Sequence, residues 1–413
     1  MMDDVRHPLP KKPKQTPKPA SDTKVPDEPA FRPPETVAAE DDAKAAALVA
    51  SARLAARRVQ EKVNHHWNNS RKAFIAVVVV VLILAGGATF WAIKMHRRAP
   101  VAAIPKTTPI VKPKPVVPTT VPSALTGLPV DPSINNRPVT GIMIENSTDA
   151  RPQSGLSQAG VVFEAIAEGG ITRFLTLYQD QWPSNVGPIR SARPYYLQWD
   201  LGFDAPLAHV GGSPEALADI KSWGVKDLDQ FANGGSYQRV SSRPAPHNVY
   251  TSLETLNQLE TKKGFTSSKF TGFARKKDSP AKQPNAASVD FAISSGLYNV
   301  HYDYDAANNA YKRSEGGATH IDANTGAQLE PKVVVALVIP YNLEADNKHS
   351  QYGIVGSGKA FVFQDGTVTV GSWNKLSQNA QITFTDGSNQ PLSLNAGQTW
   401  LSAVSDASKV SYR

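Results

Sequence analysis

The sequence contains no cysteine. That absence removes disulfides, thiolate nucleophiles and cysteine zinc sites together. It leaves the redox compartment open, because a chain without thiols suits either side of a membrane. Histidines are scattered, without the i, i+4 or short spacing of zinc ligands, so neither a metal nor another cofactor is expected. No internal repeat is visible. Nucleophile and phosphate motifs are also missing: Gly211-Gly212-Ser213-Pro214-Glu215 lacks the G-x-S-x-G spacing of a nucleophile elbow. The run GIVGSGKA from Gly353 matches a P-loop only up to Ala360, which stands where a magnesium-binding hydroxyl is needed, and leads into a strand pattern instead of a helix. The net charge of +8 does not indicate a nucleic-acid partner. Much of it comes from Lys11, Lys12, Lys14, Lys18, Arg53, Arg57, Arg58, Lys62, Arg71, Lys72, Lys94, Arg97 and Arg98, which all precede the globular region.

One stretch lacks charge altogether. Residues Ala73 to Ile93, AFIAVVVVVLILAGGATFWAI, are about long enough for a helix to cross the roughly 30 Å hydrocarbon core. Their depth in the chain and their length argue against a cleaved signal peptide. Residues 1–34, rich in Pro, Lys and Asp, read as a disordered tail. Residues 35–72 read as an alanine-rich juxtamembrane helix. Residues 94–122 form a Pro-rich stalk of polyproline type. Basic residues flank the apolar run similarly on both sides, and the longer basic tail tips the orientation toward an N-terminus inside.

The expected fold class is α+β, a two-domain ectodomain following a single transmembrane helix. A mixed α/β domain covers 123–264, a basic linker 265–288 and a β-rich domain 289–413. In the first domain, Val139 to Glu145 alternates as a strand, and apolar runs flank Gly169-Gly170 as a hairpin with a two-residue turn. Placing Glu168 opposite Ile171 pairs Ile166 with Arg173 and Glu164 with Leu175, so Arg173 lies diagonal to both glutamates on one face. Phe163, Phe174 and Tyr178 then share the core face. Ser191 is the expected cap of a helix running toward Asp200, Pro206 to Val210 a buried strand, and Ser213-Pro214-Glu215 the start of a helix through about Trp223. A further helix is expected from about Ser252 to Lys262. In the second domain, Asp365-Gly366 marks a hairpin, and Trp373 and Trp400 are expected in the core, with sugar stacking as the alternative.

The globular part resembles the YerB-like lipoprotein family, an envelope family of two consecutive domains of unknown function. The strings that carry the resemblance are LTGLPV at 125–130, RPQSGLSQAGVVFE at 151–164, EGGITRF at 168–174, GPIRSARPYY at 187–196, HVGGSP at 209–214 and RPAPHNVY at 243–250. In the second half they are GSGKAFVFQDG at 356–366, GSW at 371–373 and LNAGQTW at 394–400. The resemblance implies a membrane-attached, extracytoplasmic protein and carries over no activity. Lipoproteins of this kind attach through a lipidated cysteine, which this chain lacks; the run from Ala73 to Ile93 takes its place.

The densest chemistry lies between Arg151 and Tyr196. Arg173, Arg190, Ser191 and Arg193, joined by His209, Arg239 and His247, form a candidate anion site, because guanidinium forks suit carboxylate or phosphate. The alternative is that Arg173 pairs with Glu164 and Glu168 while Arg190 and Arg193 satisfy loop carbonyls. Glu164, Glu168, His209 and His247 are the candidate acid–base residues of an enzymatic reading. The expectation is a single-pass cell-membrane protein that binds a phosphate- or carboxylate-bearing envelope polymer or lipid-linked component, or that meets a protein partner through the second domain. The runner-up is an envelope enzyme acting on a lipid-linked or glycan phosphate.

Overall fold

The computed structural model describes residues 119–344 and 347–413 and the single residue Val79. The tail, the juxtamembrane helix, the apolar run from Ala73 to Ile93 and all but the end of the stalk therefore lie outside the described residues, Val79 apart. Among the described residues no helix is long and apolar enough to cross a membrane.

The glycine pair does what its chemistry allows. Gly169 and Gly170 have φ of 56° and 78°, the left-handed conformation a two-residue hairpin turn demands. Counting only strands of the two larger sheets, they join β2 (Val161–Glu168) to β3 (Ile171–Tyr178). Next to β3 lies β1 (Thr140–Glu145). The helices are α1 (Pro194–Leu201), α2 (Pro214–Trp223) and α3 (Leu253–Lys263), with the short β4 (Leu207–Ala208) between the first two. Ser213 and Ser252 cap α2 and α3 by accepting from Ala216 N and Thr255 N, and left-handed Gly224 and Gly264 close both helices.

The second half contributes β5 (Ser288–Phe291), β6 (Val300–Asp305), β7 (Ala310–Glu315), β8 (Ala318–Thr319) and β9 (Val333–Val338). The strands β10 (Gly356–Gln364), β11 (Thr367–Lys375), β12 (Thr383–Thr385), β13 (Thr399–Val404) and β14 (Val410–Tyr412) follow. Asp365 and Gly366, with φ of 57° and 74°, make the turn between β10 and β11.

Strands from both halves build one nine-stranded sheet, in the order β12-β11-β10-β9-β13-β2-β3-β1-β4, while β8-β7-β6-β5-β14 form a five-stranded sheet. The seam is the parallel pair β13 and β2, with Ser402 opposite Glu164. Residues between the halves are laid onto this frame: Phe273 is in the core, and Arg275 donates to Leu125 O, Asn395 O and Thr399 Oγ1.

Both faces of the central strands are covered, which is why β2 and β3 read as nearly continuous apolar runs. On one face Phe163, Leu175 and Met143 pack with Tyr195, Tyr196 and Trp199 of α1. On the other Ile142, Ile144, Val162, Phe174 and Tyr178 pack with Leu253, Leu256 and Leu259 of α3 and with Trp400. Trp373 and Trp400 are both core residues, 2% and 0% exposed.

Three local expectations are corrected. The hairpin keeps Glu168 opposite Ile171, but a bulge between Ile166 and Glu168 then shifts the register, so Ala165 faces Arg173, Glu164 faces Phe174 and Phe163 faces Leu175. One extra residue moves every side chain beyond it to the other face. Glu164 and Arg173 therefore lie on opposite faces, and Phe163 is separated from Phe174 and Tyr178. The second correction concerns α1, whose cap is Arg193 and not Ser191. The preceding backbone is held extended by Arg190 N to Met143 O and by Ala192 N to Gly211 O. Third, the strand expected over 206–210 is confined to Leu207 and Ala208, because His209 to Gly212 turns to meet that same segment.

Candidate functional site

Five strands of the large sheet run parallel to one another: β4, β1, β2, β13 and β9. Their carboxyl ends therefore share one edge, where loops collect polar side chains. Glu145 ends β1 and Glu168 ends β2. Arg173 on β3 stands in register with Glu145 and is 2% exposed. It donates to Glu168 Oε1 at 2.8 Å and to Ser191 O at 2.8 Å, and burial lowers its pKa. Arg193 pairs with the other oxygen of Glu168 and donates to Ala192 O. Glu168 is thus a clasp between two guanidiniums and is not free for acid–base work.

Glu145 Oε1 takes His247 Nδ1 at 2.9 Å, Ser147 Oγ at 3.0 Å and Arg190 Nε at 3.3 Å, whereas its Oε2 is buried without a hydrogen-bond partner. Ser147 and Glu145 both meet His247 at Nδ1, so these three do not form a serine–histidine–carboxylate relay, which needs opposite ring nitrogens. Arg190 is half-buried, with its side chain 22% exposed. Burial lowers its pKa, Glu145 opposes that, and Arg173 adds to it. Its contact with Glu145 lacks hydrogen-bond geometry, and Arg190 makes no side-chain hydrogen bond among the described residues.

Arg173, Arg190, Ser191, Arg193 and His247 thus converge. Two expected members do not join them. His209 is fully buried, with Nε2 3.0 Å from Asp227 and Nδ1 2.8 Å from Gly211 O, and it braces the loop after β4. Arg239 is exposed and donates to Asn248 at 2.8 Å.

Glu164 departs furthest from expectation. It is fully buried on the opposite face, where Arg313 of β7 donates to both its oxygens at 3.1 Å. Trp400 Nε1 at 3.1 Å, Ser402 Oγ at 2.9 Å and Thr172 Oγ1 at 3.3 Å complete its shell. Arg313 also lies over the Trp400 ring at 4.4 Å and donates through Nε to His320 Nδ1 at 3.0 Å. The network runs on through Gln153 and Asn146 to Glu315 and Arg151. Sequence reasoning missed Glu145, Arg313 and Glu315. A signal existed for the last two: in AYKRSE, Arg313 and Glu315 occupy the same alternate positions as buried Tyr311.

The geometry defines a strand-rich mixed protein with three helices among the described residues, two domains sharing one sheet, and a charged site at that sheet's carboxyl edge. Residues 125–266 match the family described as protein of unknown function (DUF3048) N-terminal domain, and residues 289–401 match its C-terminal domain. The chain is 31% identical over 286 residues to the putative lipoprotein YerB of Bacillus subtilis, covering 68% of this chain and 86% of that one. The crystal structure of the Bacillus subtilis YerB protein superposes with a TM-score of 0.65 at 28% identity, covering 71% of this chain and 99% of that one. The chain belongs to this YerB-like, DUF3048 family.

Proposed function

We propose that the chain is a membrane-attached extracytoplasmic protein that binds a phosphate- or carboxylate-bearing envelope component at Arg190. A relative described as a putative lipoprotein supports the location, and the uncharged run from Ala73 to Ile93 is the proposed single-pass anchor, with the N-terminus inside. The observation that carries the binding reading is the unequal use of three neighbouring arginines. Arg173 and Arg193 spend side-chain donors on Glu168 and on backbone carbonyls, while the Arg190 side chain makes no hydrogen bond among the described residues and stands at a partly open position. A half-desolvated guanidinium with unused donors suits an anion.

The test uses the full chain in nanodiscs, with inorganic phosphate, soluble muropeptides and a lipid-linked pyrophosphate as probes, and compares wild type with Arg190→Gln. Loss of a charged hydrogen bond predicts at least about tenfold weaker binding of whichever probe the wild type holds. Equal binding by both proteins, or no binding by the wild type, overturns the reading. A second reading, an envelope enzyme on a lipid-linked or glycan phosphate, has a specific support: Glu145 and His247 stand 2.9 Å apart beside Arg190. Product formation from a bound probe, abolished by Glu145→Gln, separates it from binding alone.

A further inference from the structure

The loop after β1 also lines a pocket to which Arg190 does not contribute. There Thr148, Arg151 and Pro152 of the N-terminal half meet Leu297, Glu315, Gly316, Ala318, Thr319, His320 and Ile321 of the C-terminal half around a pocket of about 390 Å³. That volume lies within the range of small-molecule sites. Leu297, Pro152 and Ile321 supply apolar wall, and Glu315, His320 and Arg151 supply the polar part.

The hydrogen bonds at Glu315 say which charge this pocket carries. Glu315 Oε1 accepts from Asn146 at 2.6 Å and is 3.1 Å from Arg151 Nη2, but Oε2 is buried with no donor. Arg313 Nη2 stands 3.7 Å from it and His320 Nδ1 3.3 Å, neither making a hydrogen bond. That nitrogen already accepts from Arg313 Nε at 3.0 Å, so it carries no proton, and the ring's proton sits on Nε2, facing Gln153 Oε1 at 3.0 Å. An ionised Glu315 would therefore hold a buried oxygen without a hydrogen bond against another lone pair, offset only by the Arg313 guanidinium at 3.7 Å, and protonation removes that cost. With Glu315 neutral, the connected cluster has two guanidiniums, Arg151 and Arg313, against one carboxylate, Glu164. One positive charge is left uncompensated, and Arg151, 19% exposed and stacked over the Tyr298 ring at 5.0 Å, is the arginine that lines the pocket. Arg151 donates to Asn146 Oδ1, Asn146 O and Leu297 O, which leaves one Nη1 hydrogen and one Nη2 hydrogen, the latter nitrogen lying beside Glu315 Oε1. The hydroxyls of Thr148 and Thr319 make no hydrogen bond among the described residues.

We propose that this pocket binds a small carboxylate with a short apolar body, held by Arg151 and the two threonine hydroxyls while Glu315 carries a proton. The groups facing Glu315 are Arg313 on its own strand, Glu164 from β2, Arg151 from the loop after β1, His320 after β8, Tyr302 of β6 and Tyr298 before it. Burial, ahead of the opposing pull of Arg313, pushes the Glu315 pKa up to about 7. Ionisation above that value neutralises Arg151 and competes with the ligand.

The full chain in nanodiscs, titrated calorimetrically with hexanoate and with hexanol, tests this. Hexanoate stays ionised at pH 6 and pH 8, so a change in its affinity reports the protein. Binding is expected about tenfold weaker at pH 8 than at pH 6, following the protonated fraction of a group near 7. Glu315→Gln keeps the binding and loses the pH dependence, and hexanol binds at least about tenfold more weakly than hexanoate. Leu297→Glu, at a 55% exposed position on the rim, sets a like charge against the ligand without disturbing the core and weakens hexanoate binding. Arg190→Gln leaves it unchanged, which separates this site from the one proposed above. Absence of hexanoate binding at pH 6, equal affinity for hexanol, an unaltered pH profile in Glu315→Gln or wild-type affinity in Leu297→Glu each overturns the proposal.

Discussion

Glu164 and Glu315 are both buried carboxylates near the same arginine, Arg313, yet the fold supplies them with donors very unequally. Glu164 receives Arg313 on both oxygens together with Trp400, Ser402 and Thr172. Glu315 has donors on one oxygen and none on the other. A saturated carboxylate locks the seam between β2 and the second half, since low dielectric strengthens a complete network. At the undersupplied one burial favours the protonated form, and that side chain lines a pocket. Burial alone does not separate the structural carboxylate from the responsive one; the count of donors does.

The largest effect that sharpens this contrast comes from cutting the saturated pair. Arg313→Met leaves Glu164 without its counter-charge and is expected to cost about 3–5 kcal/mol in urea unfolding, whereas Arg313→Met with Glu164→Gln recovers a large part of that loss. An additive double variant would remove the distinction. Next in size is the pH dependence of Glu315. Its folded pKa of about 7 exceeds the ordinary 4.5, so its favourable contribution is complete below 4.5 and disappears as pH rises through about 7. The stability difference between wild type and Glu315→Gln is expected to swing by about 3 kcal/mol between pH 4 and pH 8, against the wild type at the higher pH. Urea midpoints across that range check the sign. Smallest is the rim: Arg190→Gln changes stability by less than about 1 kcal/mol and Arg239→Ala by about zero, as exposed or half-exposed pairs do. A rim loss as large as that of Arg313 would place Arg190 in the structural network.

Much of the local structure was legible in the chain. Gly169-Gly170, Asp365-Gly366, Ser213-Pro214 and Ser252 mark turns and caps through interactions within a few residues, and each appears where those signals stand. The convergence of Arg173, Arg190, Arg193 and His247 was legible only in part. Its acidic partner Glu145 closes the strand VTGIMIE with nothing local to distinguish it from a solvated strand end. The bulge before Glu168 was hidden for a related reason: both faces of β2 are apolar, so the hydrophobic pattern does not report which residue is extra.

The sequence by itself determined the turns, two of the three helix starts, the apolar strands and the membership of a two-domain family, because short-range backbone preferences and motif strings decide those. Only the tertiary structure decided that the two domains share one sheet and which charges meet. Arg313 and Glu164 are 149 residues apart. Their pairing depends on the parallel seam of β13 and β2 and on a one-residue shift that turns Glu164 away from Arg173. Charge pairing is set by distance in space, and no local preference encodes it.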